Sequence, residues 1–168
     1  NVVTNAWHYA ALKQMEGIAG ALGKQDDVAF YASESDAFKK RFIRSFFDVR
    51  KGYFTDGLAA DTDHASLHGN MFPLAFDLVP AGKKQNVVDF IQTRGMACSV
   101  YGSQFLMDAL YEANDAEYAL HMLTKTDDRS WYNMIRVGST ISLEAWDNKY
   151  KPNQDWNHAW GAAPANII

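Results

Sequence analysis

Cysteine is almost missing from this chain: Cys98 is the only one in 168 residues, so no disulfide forms within it. Cys98 follows Met96 and Ala97 in an apolar stretch and reads as a buried thiol, not a nucleophile. No run of Lys and Arg stands out, and the formal net charge is −4, which argues against a nucleic-acid surface. Lys39-Lys40-Arg41 falls inside an amphipathic pattern and reads as a solvated helix face. No apolar run approaches membrane-spanning length, so membrane insertion is not expected. A glycine-rich phosphate loop is also missing, and strand signals are sparse. The chain opens on Asn1-Val-Val-Thr with neither an initiator Met nor a signal peptide, which reads as an excised or processed piece.

What is present is an ordinary globular balance. Hydrophobic residues make up 48% and charged residues 21%, enough for one domain with a sizeable core and against disorder. Thr4 or Asn5 is placed to cap a first helix that stops at Gly23. Asp26 or Asp27 caps a second, striped by Phe30, Tyr31, Phe38, Phe42 and Phe46, and the short turn makes an antiparallel hairpin. Asp61 or Asp63 caps a helix from about His64, in which Pro73 predicts a kink or a break. Further helices carry Val87 to Ile91, start after Ser99 and after Asn114-Asp115, and run from about Arg129 to Ile135. A last one is expected near Ala163. The fold class is therefore all-α, built of repeated antiparallel αα hairpins, as in a toroid or a solenoid-like array. The periodicity fails in one place only, after Ile135.

That place carries Gly138-Ser-Thr-Ile-Ser-Leu-Glu-Ala-Trp-Asp147 and then Asp155-Trp-Asn-His-Ala-Trp160. Ile141 and Leu143 alternate with polar residues, so the first piece reads as extended and delivers Glu144 beside Trp146 and Asp147. The second packs Trp156, His158 and Trp160 into one loop. Each Trp taken singly reads as core. Together with a carboxylate and an imidazole they read as a sugar site. The acid or base moves protons, the aromatic faces stack on sugar C–H groups, and polar edges bond hydroxyls. Asp147 either bonds a hydroxyl or caps a turn.

These two stretches resemble α-L-rhamnosidase-type glycoside hydrolases. Gly138 to Asp147 is similar to the segment carrying the general-base Glu of that family, and Asp155 to Gly161 to the Asn-His loop that follows it. The resemblance runs from about Asn5 to the end and is strongest from Met96 onward. It implies an (α/α)6 toroid that hydrolyses terminal α-L-rhamnosides with inversion. With six or seven helices against the toroid's twelve, it implies that residues 1–168 form a single domain that is a fragment, the second half of the catalytic domain. It makes Glu144 the base and His158 a sugar contact, with Trp146, Trp156, Trp160 and Asp147 around the pocket. The general acid would lie upstream, so the chain alone is expected to be inactive. A half toroid would also expose apolar helix faces, which either pair copies of the chain as a homo-oligomer or are covered by helices supplied elsewhere. The resemblance further implies a carbohydrate substrate, no cofactor, and a bacterial periplasmic or extracellular location. Glu144-Ala-Trp-Asp147 stands where many members have Glu-Arg-Trp-Asp, and Ser99-Val-Tyr-Gly102 where many have a Thr-Gly-type pair, which marks a divergent branch.

One other cluster stands out. His64 and His68 are spaced to share a helix face, next to Asp56, Asp61 and Asp63. A zinc protease would need Glu at position 65, where Ala65 stands, so no metal is assigned. Asp56, His64 and His68 read either as subsite residues at a toroid mouth or as a hydrated loop and helix cap. Two other classes compete with the rhamnosidase reading: a different α-toroid enzyme, such as a glucosidase or polysaccharide lyase, and a helical interaction module without chemistry. A module of that kind has no use for a non-helical segment holding Glu, Asp, His and three Trp.

Overall fold

A computed structural model describes residues 1–167. Its residues gather into two compact units, one from Asn1 to Phe90 and one from Ile91 onward. In the first unit, α1 (Val2–Ala21) begins earlier than Thr4 or Asn5 would place it, because Asn1 is its cap. The Asn1 Oδ1 accepts from the Val3 amide at 2.9 Å. The helix ends as the sequence predicts, on Gly23 at φ +70°. The Lys24 amide bonds the Ala19 carbonyl at 2.9 Å and the Gly23 amide bonds that of Gly20 at 3.0 Å, a Schellman closure. α2 (Gln25–Phe46) has no side-chain cap; Asp26 and Asp27 instead sit in its first turn, against the positive end of the helix dipole. The two helices pack as a hairpin on Ala6, Tyr9, Ala10, Ala19, Phe42 and Phe46. Phe30, Ile18 and Leu22, although part of the apolar pattern, stay more than half exposed.

Beyond α2 the chain forms a small antiparallel ladder, β1 (Phe47–Asp48) against β2 (Tyr53–Phe54). Asp48 makes the turn by accepting the Arg50 amide at 2.9 Å, and Gly52 closes it at φ +81°. Asn70, fully buried, acts as a third strand's worth of backbone. It accepts from the Phe54 amide at 2.9 Å and donates to the Phe54 and Ser66 carbonyls at 3.0 Å each. α3 (His68–Ala75) begins at His68, four residues later than the capping pattern indicates. His64 and Ser66 are bound to Asp56 instead, and residues 64–66 lie outside the helix, so His64 and His68 do not share a helix face. Pro73 removes one helical bond, and α3 stops two residues after it.

α4 (Lys84–Arg94) starts in the first unit and ends in the second, at Gly95 with φ +55°. In the second unit α5 (Val100–Glu112) is the buried element, with Val100, Leu106, Met107, Ala109 and Leu110 sealed from solvent. Ser99 caps it through the Gly102 amide at 3.0 Å, as the sequence predicts. α6 (Ala116–Thr124) follows a turn on Asn114, φ +62°, and the cap Asp115. α7 (Trp131–Arg136) is capped by Ser130. A 3-10 turn (Ala159–Ala162) leads into α8 (Ala163–Ile167), which packs on α5; Ile168 lies outside the described residues. Between α7 and the 3-10 turn lie bends and turns without a strand, where the alternation predicted extended chain.

Candidate functional site

Residues 138–162 hold together by crossing themselves. The Glu144 amide donates to the Asp155 carbonyl at 3.1 Å and the His158 amide to the Ser142 carbonyl at 3.0 Å. The Ser142 hydroxyl returns a bond to the His158 carbonyl at 2.8 Å. Gly161 lies so close to this crossing that an added Cβ would sit 2.5 Å from the Ser142 Cβ and 2.8 Å from the Leu143 carbonyl oxygen. Only glycine fits there. Gln154, 6% exposed, stiffens the same loop: its Oε1 accepts the Ala145 amide and its Nε2 donates to Asn148, both at 2.8 Å.

This scaffold brings Glu144 and His158 together. The Glu144 carboxylate receives two donors, the Lys151 ammonium on one oxygen and the Asp155 amide on the other at 3.1 Å. Those bonds, Lys151 first, hold its pKa below the usual glutamate value, with His158 adding a smaller effect in the same direction. The carboxylate is therefore ionised in neutral solution. The His158 Nε2 is buried and has no hydrogen-bond partner among the described residues, which costs about 1–3 kcal/mol.

The tryptophans divide. Trp160 is 55% exposed and packs edge-on against His158, with ring centres 4.7 Å apart. Tyr101, which the sequence reading passed over, tilts against Trp160 at 4.7 Å from the start of α5. Its signal was there in Ser99-Val-Tyr-Gly102, where the notable departure was sought in the neighbouring residues. Trp156 is also open, at 44%. Trp146 is different: it is 3% exposed, meets Trp131 edge-on at 5.0 Å, and spends its indole N–H on the Cys98 carbonyl at 2.8 Å. It backs the site from the core and offers no open face. Asp147 does what a turn cap does. It accepts the Lys149 amide at 3.1 Å and the Asn133 side chain at 3.1 Å, and these bonds lower its pKa. Cys98 is buried, its thiol pushed up to about 12 by desolvation, which agrees with a packing role.

The other cluster lies in the first unit. Asp56 binds the His64 Nδ1 at 2.6 Å with one oxygen, and the Ser66 amide and hydroxyl at 3.0 and 2.8 Å with the other. Gly69 lets α3 approach, since a Cβ there would lie 2.5 Å from the Asp56 carboxylate. His68 starts α3, and partial burial lowers its pKa. Among the described residues no three His, Cys, Asp or Glu side chains gather as a metal ion would require.

Comparison with known proteins adds to this geometry. The model of a family described as the bacterial alpha-L-rhamnosidase 6 hairpin glycosidase domain matches residues 1–168. The chain is similar in structure to an alpha-L-rhamnosidase from Dictyoglumus thermophilum, with a TM-score of 0.77 and 21% identity over 94% of this chain and 18% of that one. It is also similar to one from Aspergillus terreus, with a TM-score of 0.74 and 19% identity over 94% of this chain and 19% of that one. A third, from Streptomyces avermitilis and solved with L-rhamnose, gives 0.73 and 21% identity over 96% of this chain and 16% of that one. The chain thus spans less than a fifth of each of these structures. No curated protein matches its sequence.

Proposed function

The chain belongs to the bacterial α-L-rhamnosidase six-hairpin glycosidase family, and from that we propose that it supplies the general base and part of the sugar pocket of an inverting α-L-rhamnosidase. The observation that carries the reading is the Glu144 carboxylate, kept ionised by two donors and set beside an imidazole with a bare nitrogen. A base must be ionised to take a proton from water. Inversion needs this base on one face of the sugar and an acid on the other, with a water between base and anomeric carbon. Glu144 takes the water proton as the C–O bond to the leaving group lengthens. His158 lies at the edge of the sugar, and the exposed rings of Trp160 and Tyr101 make the adjoining wall. Asp147 is assigned a supporting role in holding the turn beside the pocket, and Trp156 a place on its open side. The acid comes from a part of the parent enzyme outside this stretch, and residues 1–168 contribute to one toroidal domain there, whose substrate is a terminal α-L-rhamnoside.

The test is made in the full-length enzyme that carries this chain. Glu144→Gln keeps the size of the side chain and removes the base. It should lower kcat by about 10²–10⁴-fold with KM little changed, because the interaction is made in the transition state. Unchanged kcat on an aryl α-L-rhamnoside would remove Glu144 from the mechanism.

A further inference from the structure

Lys151 is one of the two donors to Glu144. Its ammonium bonds one oxygen of Glu144, while the Asp155 amide bonds the other. The turn carrying Lys151 is not free to swing. The Gln154 amide donates to the Lys151 carbonyl at 3.1 Å, and the buried Gln154 side chain ties the turn to Ala145 and Asn148. Residues 151–155 therefore form a clasp that closes on Glu144 from one side. We propose that Lys151 is a positioning residue for the base: it aims the Glu144 carboxylate. The inference rests on the reading of Glu144 as the base.

The argument is one of lone pairs. A carboxylate has about four acceptor sites, and the clasp fills one on each oxygen. One site on each oxygen remains for water. With both oxygens held, the side chain cannot rotate the free sites away, which is the positional control that catalysis by a placed water demands. The groups facing the Glu144 carboxylate are Lys151, the Asp155 backbone amide and His158, and all three favour its ionised form. Lys151 is the largest of these influences. It weakens the base somewhat, since basicity falls with pKa. In exchange the base stays available where an ordinary glutamate would be half protonated. Loss of Lys151 should therefore cost rate and acid tolerance together.

The experiment uses the full-length enzyme and an aryl α-L-rhamnoside, with kcat and KM measured from about pH 3 to 8. Lys151→Met should lower kcat roughly tenfold with KM within about twofold, and the acid limb of kcat/KM should move up toward the ordinary glutamate range. Lys151→Arg keeps a cation within reach and should restore the acid limb. Lys151→Gln, which keeps a donor and loses the charge, should move the limb as Met does. A thermal unfolding midpoint close to that of the unsubstituted enzyme identifies the effect as one on the site, and the exposed position of Lys151 favours that outcome. An unaltered kcat and acid limb in Lys151→Met, beside an inactive Glu144→Gln enzyme, would overturn the proposal and leave the base in place. An active Glu144→Gln enzyme would instead overturn the base, and the clasp's role with it.

Discussion

Each of the two units holds a carboxylate beside a histidine in a loop, and the two pairs are built to opposite ends. Asp56 is nearly full: His64, the Ser66 amide and the Ser66 hydroxyl take three of its roughly four acceptor sites, on both oxygens. Glu144 is gripped by two donors and has sites to spare, and the histidine beside it ends in a buried nitrogen without a partner. The residue types are the same and the chemistry is not. The first carboxylate spends most of its acceptor sites on the fold, and the second keeps about half of its own open. Surroundings differ in the same sense: Gly69 is needed to bring α3 against Asp56, whereas exposed Trp160 and Tyr101 keep an aromatic wall open near His158.

The largest effect expected from this contrast appears when the chain is taken out of its parent. On the proposed reading it carries the base and not the acid, so an unprotonated alkoxide would have to leave. That should cost at least about 10²–10⁴-fold in rate, beyond the loss of sugar positioning. An assay of the isolated chain against the full-length enzyme, on an aryl and on an alkyl α-L-rhamnoside, checks it. The aryl substrate needs less acid help and should be the less affected. Equal activity of the two proteins would show that the acid is in this chain.

Next in size comes the nearly full pair. Asp56→Ala strips three donors of their acceptor at once and should destabilise the protein by about 1–3 kcal/mol. Its effect on KM should be small if the pair serves the fold, and a denaturant titration alongside KM separates the outcomes. A large rise in KM with stability intact would instead make Asp56, His64 and His68 a sugar subsite.

Trp160→Ala should follow, at about tenfold in KM or roughly 1.4 kcal/mol. The ring is already exposed, so little folding energy is lost with it. The matching substitution Trp146→Ala, made in the buried indole, should cost about 3–5 kcal/mol of stability and reach activity only through that. The two tryptophans stand 14 residues apart in one segment, and sequence could not tell them apart. What separates them is a bond from Trp146 to a carbonyl 48 residues away.

That bond indicates how far the sequence could be read. Local signals were clear: Gly23, Ser99, Asp115 and the hairpin of α1 and α2 follow from capping and periodicity within a few residues. The joining of Glu144 to His158 was also readable, because both lie in the one stretch where helical spacing fails. Features set by distant partners were not. Asn70 completes a ladder with Phe54 across 16 positions, which no strand pattern announces. Asp56 captures Ser66 and so delays α3, overriding caps at Asp61 and Asp63 that look sound locally. Nothing local marks Lys151, which the turn at Gln154 brings back onto Glu144.

The smallest expected effect concerns acid and Asp147, the turn cap of the open segment. Its pKa lies below the ordinary aspartate value, held there first by the Asn133 side chain and then by the Lys149 amide. A carboxylate depressed on folding adds stability above its unfolded pKa, and that stability is lost as the pH falls through the folded value. Asp147→Ala should therefore lower the unfolding midpoint modestly at neutral pH, and the gap from the parent should close as the solution is acidified below the usual aspartate range. Asn133 is fully buried and also donates to the Trp146 carbonyl at 2.9 Å, so it keeps one partner when Asp147 is cut back. That remaining bond is why the effect should be modest. Unfolding curves of both proteins across that pH range decide it. A gap that stays constant with pH would mean that the Asp147 charge contributes nothing and that only its shape holds the turn.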